Sequence, residues 1–251
     1  ALAAWYWGAR RRVGYAAGGR SSLLTDALPV PDPRPHQIEE YLALTECCAI
    51  PTVVREPVLK PPASDGAEWS EAGDLLETVL GENRATAPRI GLHLGAAYGP
   101  AKLWPLDRVA ACCRLLTDAG AAPILLGAPG DAEAAATVQA AAPALSLVGR
   151  DRPALLPALL AQLDVLISGD TGIAHLAAAL GTSAVTLFGP TDPALSAPRG
   201  PAEILTHPVP CAPCFYRVCP IEHPCLREIE PEQVCSRALA SATASARSVR
   251  R

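Results

Sequence analysis

ISGDTGIAHLAAALGTSAVTLFGPTDP, residues Ile167 to Pro193, decides the fold. It reads as a strand, a sharp polar loop, a short helix, a second strand and a second polar loop. Asp170-Thr171-Gly172 falls where a parallel strand hands over to a helix, at the carboxyl edge of an open α/β sheet, where ligands bind. The exposed N–H groups of a helix start attract anions, phosphate above all. The segment therefore predicts an α/β domain that holds a phosphorylated ligand at this loop.

Outward from there the same alternation continues upstream. Strands are predicted at 89–94, 123–126, 144–148, 165–168 and 184–188. Helices are predicted at 105–119, 132–142, 153–162 and 173–180, with Pro105 in a permitted first-turn position. Short loops between alternating strands and helices imply a parallel sheet covered on both faces. Before residue 87 the pattern is less regular: a short strand at 12–15, a turn or short helix at 21–27, a proline loop from Pro29 to Pro35, and helices at 36–47 and 69–80. The proline-rich stretch Glu56 to Gly66 reads as a linker.

Composition sets limits. At 251 residues the chain is long enough for one large or two modest domains. Half of it is apolar and the formal net charge is −4. No basic stripe is available to displace counterions from a phosphate backbone, so nucleic acid is not the expected partner. Arg10-Arg11-Arg12 reads as a solvated turn. No apolar run reaches the ~18–20 residues that span a bilayer. No signal peptide is evident, and a cytoplasmic location is expected. The first residue is Ala1 and not Met, which reads as the interior of a longer chain or the product of trimming.

Three loops, Gly95–Lys102, Gly127–Asp131 and Gly169–Gly172, each follow a strand and precede a helix, so they share one edge of the sheet. A bound nucleoside diphosphate needs a helix N-terminus, a cation and acceptors for ribose hydroxyls. Thr171 or Asp170 is placed to cap the helix, which leaves the N–H groups of Gly172 and Ile173 for phosphate. Lys102 is the one lysine after Lys60 and suits a phosphate partner, although an ordinary surface lysine has the same spacing. Asp131 and Glu133 either accept from a ribose or match the dipole of the helix they begin. His175, four residues past Thr171, faces the ligand or packs under the loop.

Together, HLGAAYGPAKLWP (His93–Pro105), LLGAPGDAE (Leu125–Glu133) and the Ser168–Pro193 run resemble glycosyltransferase family 9, the bacterial lipopolysaccharide heptosyltransferases. The GPAKLWP form is most similar to the heptosyltransferase II branch. The resemblance extends to PVPCAPCFYRVCPIEHPCLREIEPEQV (Pro208–Val234) and, more weakly, to Arg11–Pro31. It implies an α/β fold of GT-B type, two Rossmann-like domains facing each other across a cleft. Residues 1–66 would be a partial N-terminal acceptor domain with its linker. Residues 67–251 would be a complete C-terminal nucleotide-sugar domain, with a Cys-rich loop at 208–226. The implied activity is inverting, metal-independent transfer of heptose from ADP-heptose to the inner core of lipopolysaccharide, at or near the cytoplasmic face of the inner membrane.

By the same resemblance, Lys102 contacts the diphosphate, and Asp170, Thr171 and Gly172 bind the phosphates with His175 beside them. Asp131 sits near the ribose and Val148–Asp151 near the adenine. Three departures stand out. Gly169 replaces the family's usual asparagine, Thr171 its commoner serine, and the N-terminal glycine-aspartate loop that carries the family's general base is missing. The chain is therefore expected to bind the donor and to transfer poorly or not at all. The alternatives are a non-catalytic sugar-nucleotide-binding module and a metal-clipped interaction domain.

The last alternative rests on the nine cysteines. Cys112 and Cys113 fall in a helical pattern and read as core. Cys211, Cys214, Cys219 and Cys225 lie within fifteen residues, with His223 among them. In a cytoplasmic protein that density favours a structural zinc or iron site over disulfides, with free thiols as the further reading.

Overall fold

The computed structural model of the chain describes residues 1–249. It divides into two compact units. The first is Ala1–Glu56 with Ala194–Ser196, and the second is Pro57–Pro193 with the chain from Ala197 onward.

The first unit opens with a short helix α1 (Leu2–Tyr6). Two short strands, β1 (Val13–Tyr15) and β2 (Asp26–Leu28), pair in parallel, and helix α2 (Gln37–Cys47) follows. The basic triplet is more than a solvated turn. Arg11 pairs with Asp26 at 3.1 Å, and Arg12 donates to the carbonyls of Leu23 (2.6 Å) and Ala9 (2.5 Å). Arg34 holds the buried Glu40 carboxyl below the usual carboxylate range.

The second unit begins with α3 (Ala67–Leu80) and alternates regularly from there: β3 (Arg89–His93), α4 (Leu106–Asp118), β4 (Ala122–Leu126), α5 (Ala132–Ala141), β5 (Leu145–Ser146), α6 (Leu156–Ala161), β6 (Val165–Gly169), α7 (Gly172–Leu180) and β7 (Ser183–Phe188). A short helix α8 (Pro193–Ser196), whose last three residues are counted with the first unit, interrupts it, and strand β8 (Ala202–Thr206), a single turn α9 (Pro224–Arg227) and a long helix α10 (Pro231–Val249) complete it. The six strands form one sheet in the order β5-β4-β3-β6-β7-β8, and every pairing is parallel.

Side-chain alternation along the strands builds two cores. Ala122, Ile124 and Leu126 of β4 pack on the α3/α6/α7 face, with Leu166 of β6. Leu125, Val165 and Ile167 point the other way, into the α4/α5/α10 face. Burial on both faces is why these strands read as unbroken apolar runs. Cys112 and Cys113 lie in that second core, as expected; burial pushes the Cys113 thiol up to about 12 and raises Cys112 as well.

The order fixes where a ligand goes. From β3 the chain winds outward through β4 and β5, then returns to the other side of β3 and winds through β6, β7 and β8. The winding reverses between β3 and β6, and the crevice beyond the carboxyl ends of strands at such a reversal is where doubly wound sheets bind ligands.

Candidate functional site

The loops after β3 and β6 meet at that reversal. After β3, the chain reaches Pro100–Lys102, a single 3-10 turn. Gly99 enters it at φ 147°, and a side chain there would meet the Arg217 carbonyl oxygen at 2.6 Å. The neighbouring Ala101 N–H donates to the same oxygen at 3.0 Å, so the Cys-rich segment backs this turn directly. Its other support is Tyr98, whose hydroxyl donates to the Phe215 carbonyl (2.6 Å) and whose ring lies 4.7 Å from the Lys102 ammonium.

Lys102 Nζ donates to Asp170 Oδ2 at 2.5 Å and to the Asp170 carbonyl at 3.1 Å. Both side chains are largely withdrawn from solvent, 12% and 7% exposed. A second donor holds the same carboxylate oxygen: Thr191 Oγ1, from the loop after β7, at 2.7 Å. His175 Nε2 lies 4.0 Å from the other oxygen, Oδ1. Gly169 makes this closeness possible, because a Cβ there would stand 2.6 Å from the Lys102 carbonyl oxygen.

Asp170 leads straight into α7. Thr171 takes the N-cap position, but its hydroxyl bonds to Ser168 Oγ (3.0 Å) instead of capping the helix. The helix start is thus left without a side-chain cap, a feature of anion sites. In front of it lies a cavity of about 780 Å³. Its walls come from the loops after β3 (Gly95–Ala97), β4 (Ala128, Pro129 and Asp131) and β5 (Gly149, Asp151–Pro153) and from Thr171–Ile173.

The structure thus brings Lys102, Asp170, Thr171, Gly172, Ile173 and His175 to one corner of the sheet. Asp131 lies on the opposite wall of the cavity, with its Oδ2 accepting from Ala128 N–H at 2.8 Å. Glu133 is exposed on α5. Asp151 stands where the chain leaves β5, and its carboxylate accepts from Gly127 N–H at 3.0 Å.

Residue typing had not singled out Thr191. Its signal was the second polar loop of the opening stretch, which follows the strand beside β6. Because its hydroxyl bonds a buried carboxylate, Thr191→Val is expected to cost about 2 kcal/mol in chemical denaturation. A variant as stable as the parent would show that this bond contributes nothing.

Burial raises the Asp151 carboxyl above its ordinary value; the N–H donors around it pull the other way and the Asp131 charge adds to the rise. The stability this group contributes is complete below its unfolded value, about 3.8, and is lost as pH rises through the folded one. Asp151→Asn keeps an oxygen for Gly127 N–H and removes the titration. Its thermal midpoint is expected to exceed the parent's at neutral pH, with the gap closing as pH falls toward 4. A parent that melts higher at pH 7 would contradict the assignment.

The four-thiolate metal site expected at Cys211, Cys214, Cys219 and Cys225 finds no support. Among the described residues no three Cys, His, Asp or Glu side chains converge as a metal site. Cys225 is buried in α9 and Cys211 is exposed on a turn, while the Cys219 sulfur accepts from His223 N–H at 3.2 Å. The segment is held instead by its backbone: Cys214 and Phe215 N–H groups both donate to the Pro190 carbonyl (3.0 and 2.8 Å), beside Thr191.

Comparison with known proteins gives this geometry its context. The profile of glycosyltransferase family 9 (heptosyltransferase) matches residues 1–224. The chain belongs to glycosyltransferase family 9. A curated relative, lipooligosaccharide heptosyltransferase 2 of Haemophilus influenzae, is 31% identical over 199 residues, 74% of this chain and 56% of the relative. The chain therefore spans a little over half the length of that relative. Among solved structures, the Escherichia coli ADP-heptose lipopolysaccharide heptosyltransferase II aligns over 97% of this chain and 73% of its own, at 26% identity and a TM-score of 0.74. A family 9 glycosyltransferase from Veillonella parvula aligns over 97% of this chain and 70% of its own, with a TM-score of 0.79 and 20% identity, and supports the fold. The parallel six-stranded sheet agrees with the Rossmann-like domain that the sequence implied.

Proposed function

We propose that this chain supplies the donor half of a heptosyltransferase: it binds ADP-heptose in the cavity before α7, for transfer of the heptose to the inner core of lipopolysaccharide. The observation that carries the reading is the Lys102–Asp170–Thr191 constellation set against an uncapped helix start at the sheet's reversal point. The N–H groups of Gly172 and Ile173 receive the diphosphate, with the Lys102 ammonium behind them. The ribose lies toward Asp131 and the adenine toward Val148–Asp151. In this reading residues 1–66 belong to the acceptor-binding half and 67–251 to the donor half.

The chemistry follows from charge. An acceptor hydroxyl attacks the anomeric carbon and gives its proton to a base, the bond from that carbon to the diphosphate oxygen breaks, and the configuration inverts. The negative charge that gathers on departing ADP is met by Lys102 and the helix start, so the step is written without a metal. A nucleotide-sugar donor places the reaction on the cytoplasmic side. Among the described residues no helix is long and apolar enough to cross a membrane. The acceptor's lipid anchor therefore brings the protein to the inner-membrane surface peripherally.

One observation favours a second reading, a sugar-nucleotide-binding module without transfer. Lys102 and Thr191 both hold Asp170, and Asp131 and Asp151 accept from backbone N–H groups, so these carboxylates are occupied with binding and shaping the loops. Calorimetry with ADP and UDP, paired with a transfer assay from ADP-heptose to heptose-deficient lipopolysaccharide, separates the two. ADP binding with transfer supports the enzyme, and ADP binding without transfer supports the module. A chain that prefers UDP or binds neither refutes the shared donor site.

A further inference from the structure

The diphosphate site described above carries little positive charge of its own. The Lys102 ammonium is neutralised by Asp170, its buried partner. The carboxylates of Asp131 and Asp151 border the cavity as well, and a helix start contributes roughly half an elementary charge. A diphosphate brings a negative charge on each phosphorus. Such anions are held by cations that also donate hydrogen bonds, arginine above all. Arg152 borders the cavity too, but it is paired with Glu71 of α3 at 2.6 Å.

Arg217, in the Cys-rich segment, is placed to supply the missing charge. Its side chain is exposed, and among the described residues its guanidinium forms no ion pair. It lies 5.2 Å from the centre of the Tyr98 ring, the same ring that sits 4.7 Å from the Lys102 ammonium. Like charges that share one ring repel; Asp170 offsets that of Lys102, and Arg217 stays uncompensated. The backbone beneath Arg217 is fixed on the Lys102 turn. Its carbonyl accepts from Ala101 N–H at 3.0 Å, and a methyl on Gly99 would stand 3.2 Å from its Cβ. The chain just before it adopts a left-handed conformation at Phe215, φ 58°. Phe215 N–H donates to the Pro190 carbonyl (2.8 Å), and its own carbonyl accepts from the Tyr98 hydroxyl (2.6 Å). Those bonds hold a bulky residue where it is rarely found, and strain of this kind gathers at ligand sites. They also tie the segment to both loops that donate to Asp170, those of Lys102 and Thr191.

We infer that Arg217 is a second cation of the donor site: it binds the diphosphate together with Lys102 and meets the charge on the departing nucleotide. The inference rests on the donor-site reading and adds to it a residue of the Cys-rich segment. The first test is calorimetric titration of ADP into the full chain. Arg217→Gln is expected to weaken ADP about tenfold with an unchanged thermal midpoint, because an exposed side chain is replaced. The second test uses the parent chain and needs no variant to fold. Saturating ADP should slow the modification of Arg217 by phenylglyoxal severalfold, read by peptide mass spectrometry, and adenosine should not. A glutamine variant that binds ADP like the parent, or an affinity loss that follows a lowered midpoint, would overturn the inference. So would an Arg217 equally reactive with and without ADP, or protected as well by adenosine. Each of those results leaves the donor site standing while the parent binds ADP. A parent that does not bind ADP refutes the donor site, and this inference falls with it.

Discussion

Lys102→Met is expected to weaken ADP binding about a hundredfold and to destabilise the chain by about 3 kcal/mol. Both losses have one origin. The ammonium is the charge that neutralises Asp170, a carboxylate 7% exposed that immediately precedes the uncapped end of α7. Methionine keeps the length of the stem and removes the charge, so Asp170 keeps the Thr191 hydroxyl and loses its ammonium partner. A buried carboxylate that loses its counter-charge either takes up a proton or weakens the fold. The double variant Lys102→Met/Asp170→Asn separates the terms: it should recover most of the stability and none of the ADP affinity. If the single variant binds ADP like the parent, Lys102 is a structural lysine, the alternative its spacing had left open.

Gly169→Ala is expected to cost about 2 kcal/mol and to weaken ADP binding about tenfold. The added methyl would stand 2.6 Å from the Lys102 carbonyl oxygen, backbone that has no rotamer to turn away. The Lys102 turn must move, and it is pinned on its far side where Ala101 N–H meets the Arg217 carbonyl at 3.0 Å. The ammonium then loses its alignment with Asp170. Gly130→Ala, whose methyl meets open space, should change neither stability nor affinity. Gly169 is thus the residue that lets the two loops touch. An alanine variant indistinguishable from the parent would show that the Lys102 turn is free to shift.

Much of the second unit was legible because its strands are buried on both faces. The apolar runs at Ile90–Leu92, Pro123–Leu126 and Val165–Ile167 stand out against amphipathic helices and glycine-bearing loops. Where burial is partial the signal fades. Strand β8 was unread because it is the sheet's edge, where Ala202, Glu203 and Ile204 are half-buried. Helix α10 was unread because its buried stripe, Val234, Ala238 and Ala242, is set in an Ala/Ser-rich sequence whose small side chains blur the period. The short β2 went unread in the stretch read as a turn or short helix, since its three residues carry no run of apolar side chains.

The site was legible as three loops and illegible as contacts. Loop position followed from strand–helix order, which placed Lys102, Asp131 and Gly169–Gly172 on one edge. The bond from Lys102 to Asp170 joins residues 68 positions apart, and only the parallel pairing of β3 with β6 brings them together. The Asp131 carboxylate caps the Ala128 N–H within its own turn, a local bond that sequence left open against a ligand role. For the cysteines, closeness along the chain suggested convergence in space. Cys211, Cys214 and Cys219 do lie near enough for their charges to raise the Cys225 thiol, after its burial, but among the described residues they do not close into a metal-ligand group.

The most direct measurement is a crystal structure of the chain with ADP. The diphosphate is expected within hydrogen-bond reach of the Gly172 and Ile173 N–H groups, with the Lys102 ammonium alongside and the adenine against Val148–Asp151. Nucleotide bound away from the start of α7, or a cavity that stays empty in saturating ADP, would contradict it.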